Sequence, residues 1–294
     1  MAKKINVIGA SGQLGKKVVR SLLDQGVSPD DIIVSVRDPH KMADIATSGI
    51  DVRHADYEDG ELLEKAFEGT DTLLIIPSTA PVEPRIIQLH NAVNAAGKAG
   101  VRRIVLSSIC SAKPDSVTVV APFYLYGESK VRTSGMQWTI MRNNLYIDPV
   151  ADWVPELVKM GRLPYPMKGG RVAYVSRKDL ARAIAAACIR DDLSGRIFEL
   201  TGAEAISMDD LGRIISDLTK MPVRFESVSE EEYVSASHAG EMDIPEYKVD
   251  VLVSIYRAVE NGEFANVTGH IEDLTGKPPE KVGEYMKRRL RVKK

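Results

Sequence analysis

The sequence predicts an α/β fold, a doubly wound parallel sheet with a smaller, mostly helical C-terminal lobe. Three observations carry that expectation. Ile5, Val7 and Ile8 form a short β-branched run that leads through three evenly spaced glycines, Gly9, Gly12 and Gly15, into a helical pattern. Short apolar strand-like segments then alternate with longer helical ones as far as residue 142, the signature of a parallel sheet wrapped by helices. Beyond residue 207 the pattern changes to short helices, with no second glycine-rich unit and no internal repeat.

The first unit reads as strand, turn and helix. The run at residues 5–8 is too short for a helix and branched enough for a buried strand. Leu14, Val18, Val19 and Leu22 share one face of the helix that follows. Each glycine has a physical task. Gly9 ends the strand in a turn that disfavours a Cβ. Gly12 lets the backbone approach a pyrophosphate, whose charge sits on free N–H groups at the helix N-terminus. Gly15, one turn in, lets helix and strand pack closely. The G-x-x-G-x-x-G spacing is a variant of the dinucleotide-binding fingerprint.

Further strands are expected at 32–36, 51–54, 71–76, 103–107 and 138–142, with helices from about Pro39 and over 59–67, 83–99 and 122–134. Pro77 stops the fourth strand and Gly100 closes the helix after it. Right-handed crossovers would place every strand's C-terminal end along one edge, where ligands bind. From Asn143 the texture changes, and Pro149, Pro155, Pro164 and Pro166 are expected to break up a helix and a loop ending at Gly169-Gly170. A strand over 171–175, an alanine-rich helix over 179–189 and a last strand at 197–200 bring the chain back to the sheet. Helices over 208–218, 230–237, 246–261 and 281–290 complete it. The expected division is a Rossmann-type NAD(P)-binding domain over 1–146 and a substrate-side lobe over 147–294, with 171–201 returning to the sheet.

Bulk properties narrow the function. In 294 residues the composition is ordinary, 44% hydrophobic and 27% charged, and the formal net charge of −2 gives no broad attraction for nucleic acid or anionic lipid. The basic run Lys287–Lys294 reads as the dipole-matched end of a C-terminal helix. Two cysteines make no disulfide framework, and no signal peptide or apolar span is visible, so a cytoplasmic protein is expected. The five histidines form no metal-ligand spacing, and neither a serine-hydrolase elbow nor a P-loop is present.

Cofactor choice is legible at the end of the second strand. An NAD site usually carries Asp or Glu there, accepting from the ribose 2′-hydroxyl. Here Arg37 follows Val36, with Lys41 close behind; a guanidinium matches a 2′-phosphate, and NADP is favoured over NAD. Asp38, before Pro39, is expected to turn away as a helix cap. For acid–base chemistry the candidates are Tyr126 and Lys130, which share a helix face at i and i+4. Tyr174 and Lys178 have the same spacing but straddle a strand and a turn. A companion hydroxyl would come from Ser107, Ser108 or Ser111, and the sequence leaves that choice open.

The combination Gly9-Ala10-Ser11-Gly12-Gln13-Leu14-Gly15, Val36-Arg37-Asp38-Pro39, Ala55-Asp56-Tyr57, Met141-Arg142-Asn143 and Ser176-Arg177-Lys178-Asp179-Leu180-Ala181 resembles the NmrA-like atypical short-chain dehydrogenases. Within them it is most similar to the NAD(P)H:quinone oxidoreductase and triphenylmethane reductase group. The resemblance implies that Gly9, Ser11, Gly12, Gln13, Leu14 and Gly15 hold the pyrophosphate and that Arg37 meets the 2′-phosphate. It further implies that Asp56 lies by the adenine, Pro77 and Ser78 line the nicotinamide side, and Lys130 faces the nicotinamide ribose. Many members lack the tyrosine, and Ile109 stands where the wider family has its serine, so hydride transfer without a protein acid is the expectation. The implied activity is NADPH-dependent reduction of a small flat electrophile such as a quinone. The alternatives are an NADP(H)-sensing regulatory protein without turnover and a nucleotide-sugar epimerase or dehydratase. A homodimer or a partner protein stays open; nucleic acid and membrane are not expected partners.

Overall fold

The computed structural model describes residues 3–46, 48–238 and 245–291; the end of the basic run, Val292, Lys293 and Lys294, lies outside them. The strands are β1 (Ile5–Ile8), β2 (Ile32–Val36), β3 (Asp51–His54), β4 (Thr72–Ile75), β5 (Arg103–Ile109), β6 (Gln137–Asn143), β7 (Arg162–Tyr165), β8 (Arg171–Val172), β9 (Arg196–Leu200), β10 (Ile206–Ser207) and β11 (Arg224–Ser227). The α-helices are α1 (Gln13–Asp24), α2 (Ala43–Ala46), α3 (Gly60–Phe67), α4 (Val82–Lys98), α5 (Ala121–Arg132), α6 (Ile147–Met160), α7 (Arg177–Ile189), α8 (Met208–Thr219), α9 (Glu230–His238), α10 (Glu246–Glu260), α11 (His270–Thr275) and α12 (Val282–Arg291). Among the described residues no helix is long and apolar enough to cross a membrane.

Seven strands form one sheet in the order β3-β2-β1-β4-β5-β6-β9, every neighbouring pair parallel. β1, β2 and β4 are buried at every position, because helices cover both faces of the sheet. Val7, Val34, Leu74, Val105 and Met141 face one core with Val18 and Leu22 of α1 and the alanines of α7. Ile8, Leu73, Ile75, Ile104 and Leu106 face the other, with Phe67, Leu89, Val93 and Phe123. The strand order reverses between β1 and β4, and the crevice above that reversal is where such sheets take their ligands.

The carboxyl-terminal half departs from the expectation in three places. Residues 162–165 are a strand, not a loop: β7 pairs in parallel with β11, and Pro164 is accommodated in that two-stranded edge. Pro155 lies inside α6 instead of breaking it, because Ile147, Ala151, Val154 and Leu157 bury one continuous face. The strand expected over 171–175 stops at Val172 and pairs antiparallel with β10, outside the main sheet; Val175 makes a single bridge to Tyr146. The return to the sheet is made by α7, which packs on its face, and by β9, its seventh strand.

A fully buried arginine ties this return to the centre. At the start of β5, Arg103 donates from Nη2 to the carbonyls of Ala187 (2.8 Å) and Cys188 (2.7 Å) and from Nη1 to that of Arg190 (2.5 Å). These are the orphan carbonyls at the end of α7, where the helix dipole favours a cation. Burial pulls the guanidinium below its ordinary pKa, while Asp191, 3.8 Å from Nε, acts in the opposite sense. Arg103→Met should therefore lower unfolding free energy by about 3–5 kcal/mol in a urea titration. A loss under about 1 kcal/mol would mean that α7 docks through its alanines alone.

Candidate functional site

The crevice at the strand reversal is a cavity of about 700 Å³. Its floor is the turn between β1 and α1. Gly9 has φ +84°, where a side chain is strained, and an added Cβ would lie 2.8 Å from the Ile76 carbonyl oxygen. At Gly15 an added Cβ would lie 2.7 Å from the Ala10 Cα and closer still to the Gly9 carbonyl oxygen. Gly12 differs: its N–H donates to the Gly9 carbonyl at 3.1 Å, and a Cβ there would meet only that oxygen, at 3.3 Å. The N-terminus of α1 has no side-chain cap and no acidic residue in its first turn. The first helical bond runs from the Lys16 N–H to the Gly12 carbonyl, so the N–H groups of Gln13, Leu14 and Gly15 lack an intrahelical acceptor. Gly9, Ser11 and these residues line the cavity, and three free donors on a positive helix end fit a pyrophosphate.

Past the end of β2, Arg37 lines the cavity and is exposed, with no ion pair among the described residues. Asp38 does turn away: its carboxylate accepts from the His40 N–H at 3.1 Å and lies 4.0 Å from Lys41 Nζ. Asp56 also lines the cavity, its carboxylate accepting from the Glu58 N–H at 3.0 Å. Beside it the Tyr57 hydroxyl donates to the Ile76 carbonyl at 2.8 Å, and burial pushes that phenol well up.

Beyond β4 the wall is Pro77 and Ser78, whose hydroxyl donates to Gln88 Oε1 at 2.5 Å. Ser107 and Ser108 line the cavity at the end of β5; Ser111 does not, and sits buried 3.2 Å from the Thr118 hydroxyl. Asn143 Nδ2 donates to Ser107 at 2.9 Å and to the Tyr146 hydroxyl at 3.3 Å. Burial raises the Tyr146 pKa to about 12, and the Arg177 guanidinium lies 4.8 Å from the centre of its ring.

Tyr126 and Lys130 stand outside this cavity. The Tyr126 hydroxyl lies 2.9 Å from Nδ1 of the exposed His90 on α4. The helix expected beside the cleft is there, but its phase is different: α5 buries Phe123, Gly127 and Val131, and presents Tyr124 to the cavity, with Val120 just before the helix. Tyr124 is two positions before Tyr126, about 200° round the helix. The residue one turn on from Tyr124 is Glu128, buried, accepting from Ser108 Oγ at 2.7 Å and from Arg142 Nε at 2.8 Å and Nη2 at 2.7 Å. Tyr174 is buried, its hydroxyl 3.9 Å from Met208 Sδ. Tyr124 and Arg85 are cavity residues that the sequence reading did not single out; the Tyr124-x-x-x-Glu128 spacing on the buried phase of α5 was the signal available.

A second hollow of about 850 Å³ adjoins the first across Gln13 and Arg177. Lys16, Lys17 and Arg20 of α1 line it with Lys178 and Arg182 of α7 and Arg288 of α12. Asp24, Asp148 and Asp152 line it too, and Arg20, Arg182 and Arg288 pair with Asp24, Asp179 and Glu280, so Lys16, Lys17, Lys178 and Lys277 are its lining cations without an ion pair among the described residues.

A family model described as NAD(P)H-binding matches residues 9–191 of the chain. The chain belongs to that family. It is 29% identical to quinone oxidoreductase 2 of Escherichia coli over 95% of this chain and 96% of that one. The structure of the Escherichia coli NADPH-dependent quinone oxidoreductase complexed with NADPH superposes with a TM-score of 0.92 at 28% identity, over 97% of this chain and 99% of that one. The Citrobacter triphenylmethane reductase complexed with NADP(H) gives 0.90 at 30%, over 97% and 100%. The NAD(P)H azoreductase of Xenophilus azovorans is 25% identical over 96% of each chain. The chain also fits the NmrA-like group of atypical short-chain dehydrogenases that its motifs resemble.

The three glycines separate ligand binding from folding. Gly12→Ala adds a methyl that the turn can hold after a shift of a few tenths of an ångström, beside the free N–H groups that fit a pyrophosphate. It should weaken dinucleotide binding by more than about tenfold while unfolding free energy changes by less than about 1 kcal/mol. Gly15→Ala should lower both. Fluorescence titration beside thermal unfolding distinguishes them, and unchanged binding in Gly12→Ala would make the turn purely structural.

Proposed function

We infer that this chain, an NAD(P)H-dependent oxidoreductase of its family, takes NADPH in the crevice and delivers hydride to a small flat electrophile such as a quinone. The observation that carries the reading is the pairing of an uncapped α1 N-terminus with an unpaired Arg37 at the end of β2. The first suits the pyrophosphate. The second suits a 2′-phosphate, because the one carboxylate beside it, Asp38, is occupied by its own helix start and offers nothing to a bare 2′-hydroxyl. On this reading Asp56 would meet the adenine and Pro77 and Ser78 the nicotinamide, all three being lining residues of the crevice.

The bound dinucleotide supplies the hydride; the protein orients it and keeps the reacting faces dry. Ser107, held by Asn143, and Ser108, held by Glu128, offer fixed hydroxyls at the end of β5. The epimerase alternative would need the Tyr126 acid, and Tyr126 faces His90 instead of the crevice, which favours the reductase reading.

Arg37→Ala should weaken NADPH binding about ten- to a hundredfold and leave NADH binding nearly unchanged, the loss expected for a charge-assisted contact. Titration of both nucleotides into both proteins decides it, and equal losses would sink the assignment. Tyr126→Phe should keep the rate of quinone reduction within about tenfold of the parent, whereas losing a general acid slows a reaction about 10²- to 10⁴-fold. Steady NADPH oxidation with a quinone, recorded across pH, reads the difference.

A further inference from the structure

Arg85, one turn into α4, is 9% exposed and forms no ion pair among the described residues. Its guanidinium carbon lies 4.1 Å from the centre of the Phe123 ring and 5.2 Å from that of Tyr124. Nη2 donates to the Tyr124 hydroxyl oxygen at 3.0 Å, and the buried Nε has no hydrogen-bond partner. The two aromatic faces offset part of the desolvation, and the tyrosine oxygen takes one of five N–H donors. A largely desolvated cation without a counter-charge is otherwise unfavourable, and an anionic oxygen arriving from the cavity is what would complete it.

Both residues line the crevice. Arg85 follows β4 and Tyr124 follows β5, on the far side of the glycine turn from Arg37, which follows β2. This is the end where the substrate would meet the nicotinamide. Tyr146, Arg177 and Lys248 line the same cavity, and its only carboxylate among the described lining residues is Asp56, at the opposite end. The substrate end thus sets hydroxyls and cations, of which Arg177 is paired with Asp148, among apolar residues such as Pro81, Val82 and Val120.

We propose that Arg85 and Tyr124 form the site that receives the substrate oxygen on which negative charge develops, selecting quinones and other conjugated carbonyls whose reduced forms are phenolates or enolates. The proposal rests on the reductase reading. Arg85 donates to the lone pairs of the Tyr124 oxygen, which leaves the tyrosine O–H free to point at the substrate. As hydride adds to the conjugated system, an electron pair moves onto the carbonyl oxygen. The Tyr124 O–H bond breaks, its proton forms the new O–H of the product, and the tyrosinate, beside Arg85, recovers a proton from water. The sum is one reduced nicotinamide and one proton consumed per hydroquinone formed.

The test uses 4-nitrophenol, whose phenolate absorbs visible light and whose phenol does not, with the intact protein in the absence and presence of NADP⁺. The parent should enrich the bound probe in phenolate. Arg85→Met should abolish that enrichment, and Arg85→Lys should keep part of it, which guards against a variant that misfolds. NADPH affinity should stay within about twofold in both. Tyr124→Phe should keep the phenolate signal and lower kcat for a quinone about 10²- to 10⁴-fold with KM little changed. Phenolate enrichment that survives in Arg85→Met would overturn the proposal. So would a loss of NADPH affinity equal to the loss of the probe, which would place Arg85 on the cofactor. A parent that binds the phenolate yet oxidises no NADPH would overturn the reductase reading and uphold the oxygen site.

Discussion

The carbonyl oxygen of Gly9 and the helix that passes beside it set the geometry of the amino-terminal half. α1 lies so close to the end of β1 that no side chain fits at Gly15, and this closeness aims the helix N-terminus across the strand reversal. α7 then packs on α1 through its alanines, and Arg103 fastens the far end of α7 from the first position of β5. A chain of contacts therefore runs from one glycine to the last strand. Its two ends behave differently: the lower edge is clamped by a buried cation, whereas the upper edge leaves N–H groups open to a ligand.

The crevice is graded from one end to the other. At the β2 end an exposed guanidinium stands with a half-buried carboxylate, a setting suited to a hydrophilic nucleoside. At the β5 end the hydroxyls are fixed from behind by Asn143 and Glu128, both buried. Glu128 is tolerated in the interior because Arg142 grips both of its oxygens and Ser108 donates to one of them. Such a fully partnered group holds the end of β5 in one conformation.

What the sequence disclosed was mostly local. The glycine spacing, the burial of Val18 and Leu22, the cap role of Asp38 and the position of Arg37 each follow from a few neighbouring residues, and each is found. The pairing of β7 with β11 was hidden because it joins segments far apart, one of them marked by a proline that reads as a breaker. The phase of α5 was hidden for a related reason. Tyr126 and Lys130 share a face, as their spacing implies, but which face meets the sheet is decided by Phe123, Gly127 and Val131 packing towards α4 and β5. Arg85 escaped notice because an arginine on an amphipathic helix reads as a solvated charge, and only the rings of Phe123 and Tyr124 closing over it say otherwise.

The basic flank beside α1 bears on how the crevice fills. Lys16, Lys17 and Lys178 border the mouth without touching the space where the cofactor's phosphates would rest. Their field reaches outward over about one Debye length, ~8 Å at physiological ionic strength, and draws a polyanion towards the open end of the helix. Attraction of that kind accelerates arrival and leaves departure to the close contacts inside. Added salt should therefore slow the arrival of a dinucleotide, and a nucleoside stripped of its phosphates would diffuse in unassisted.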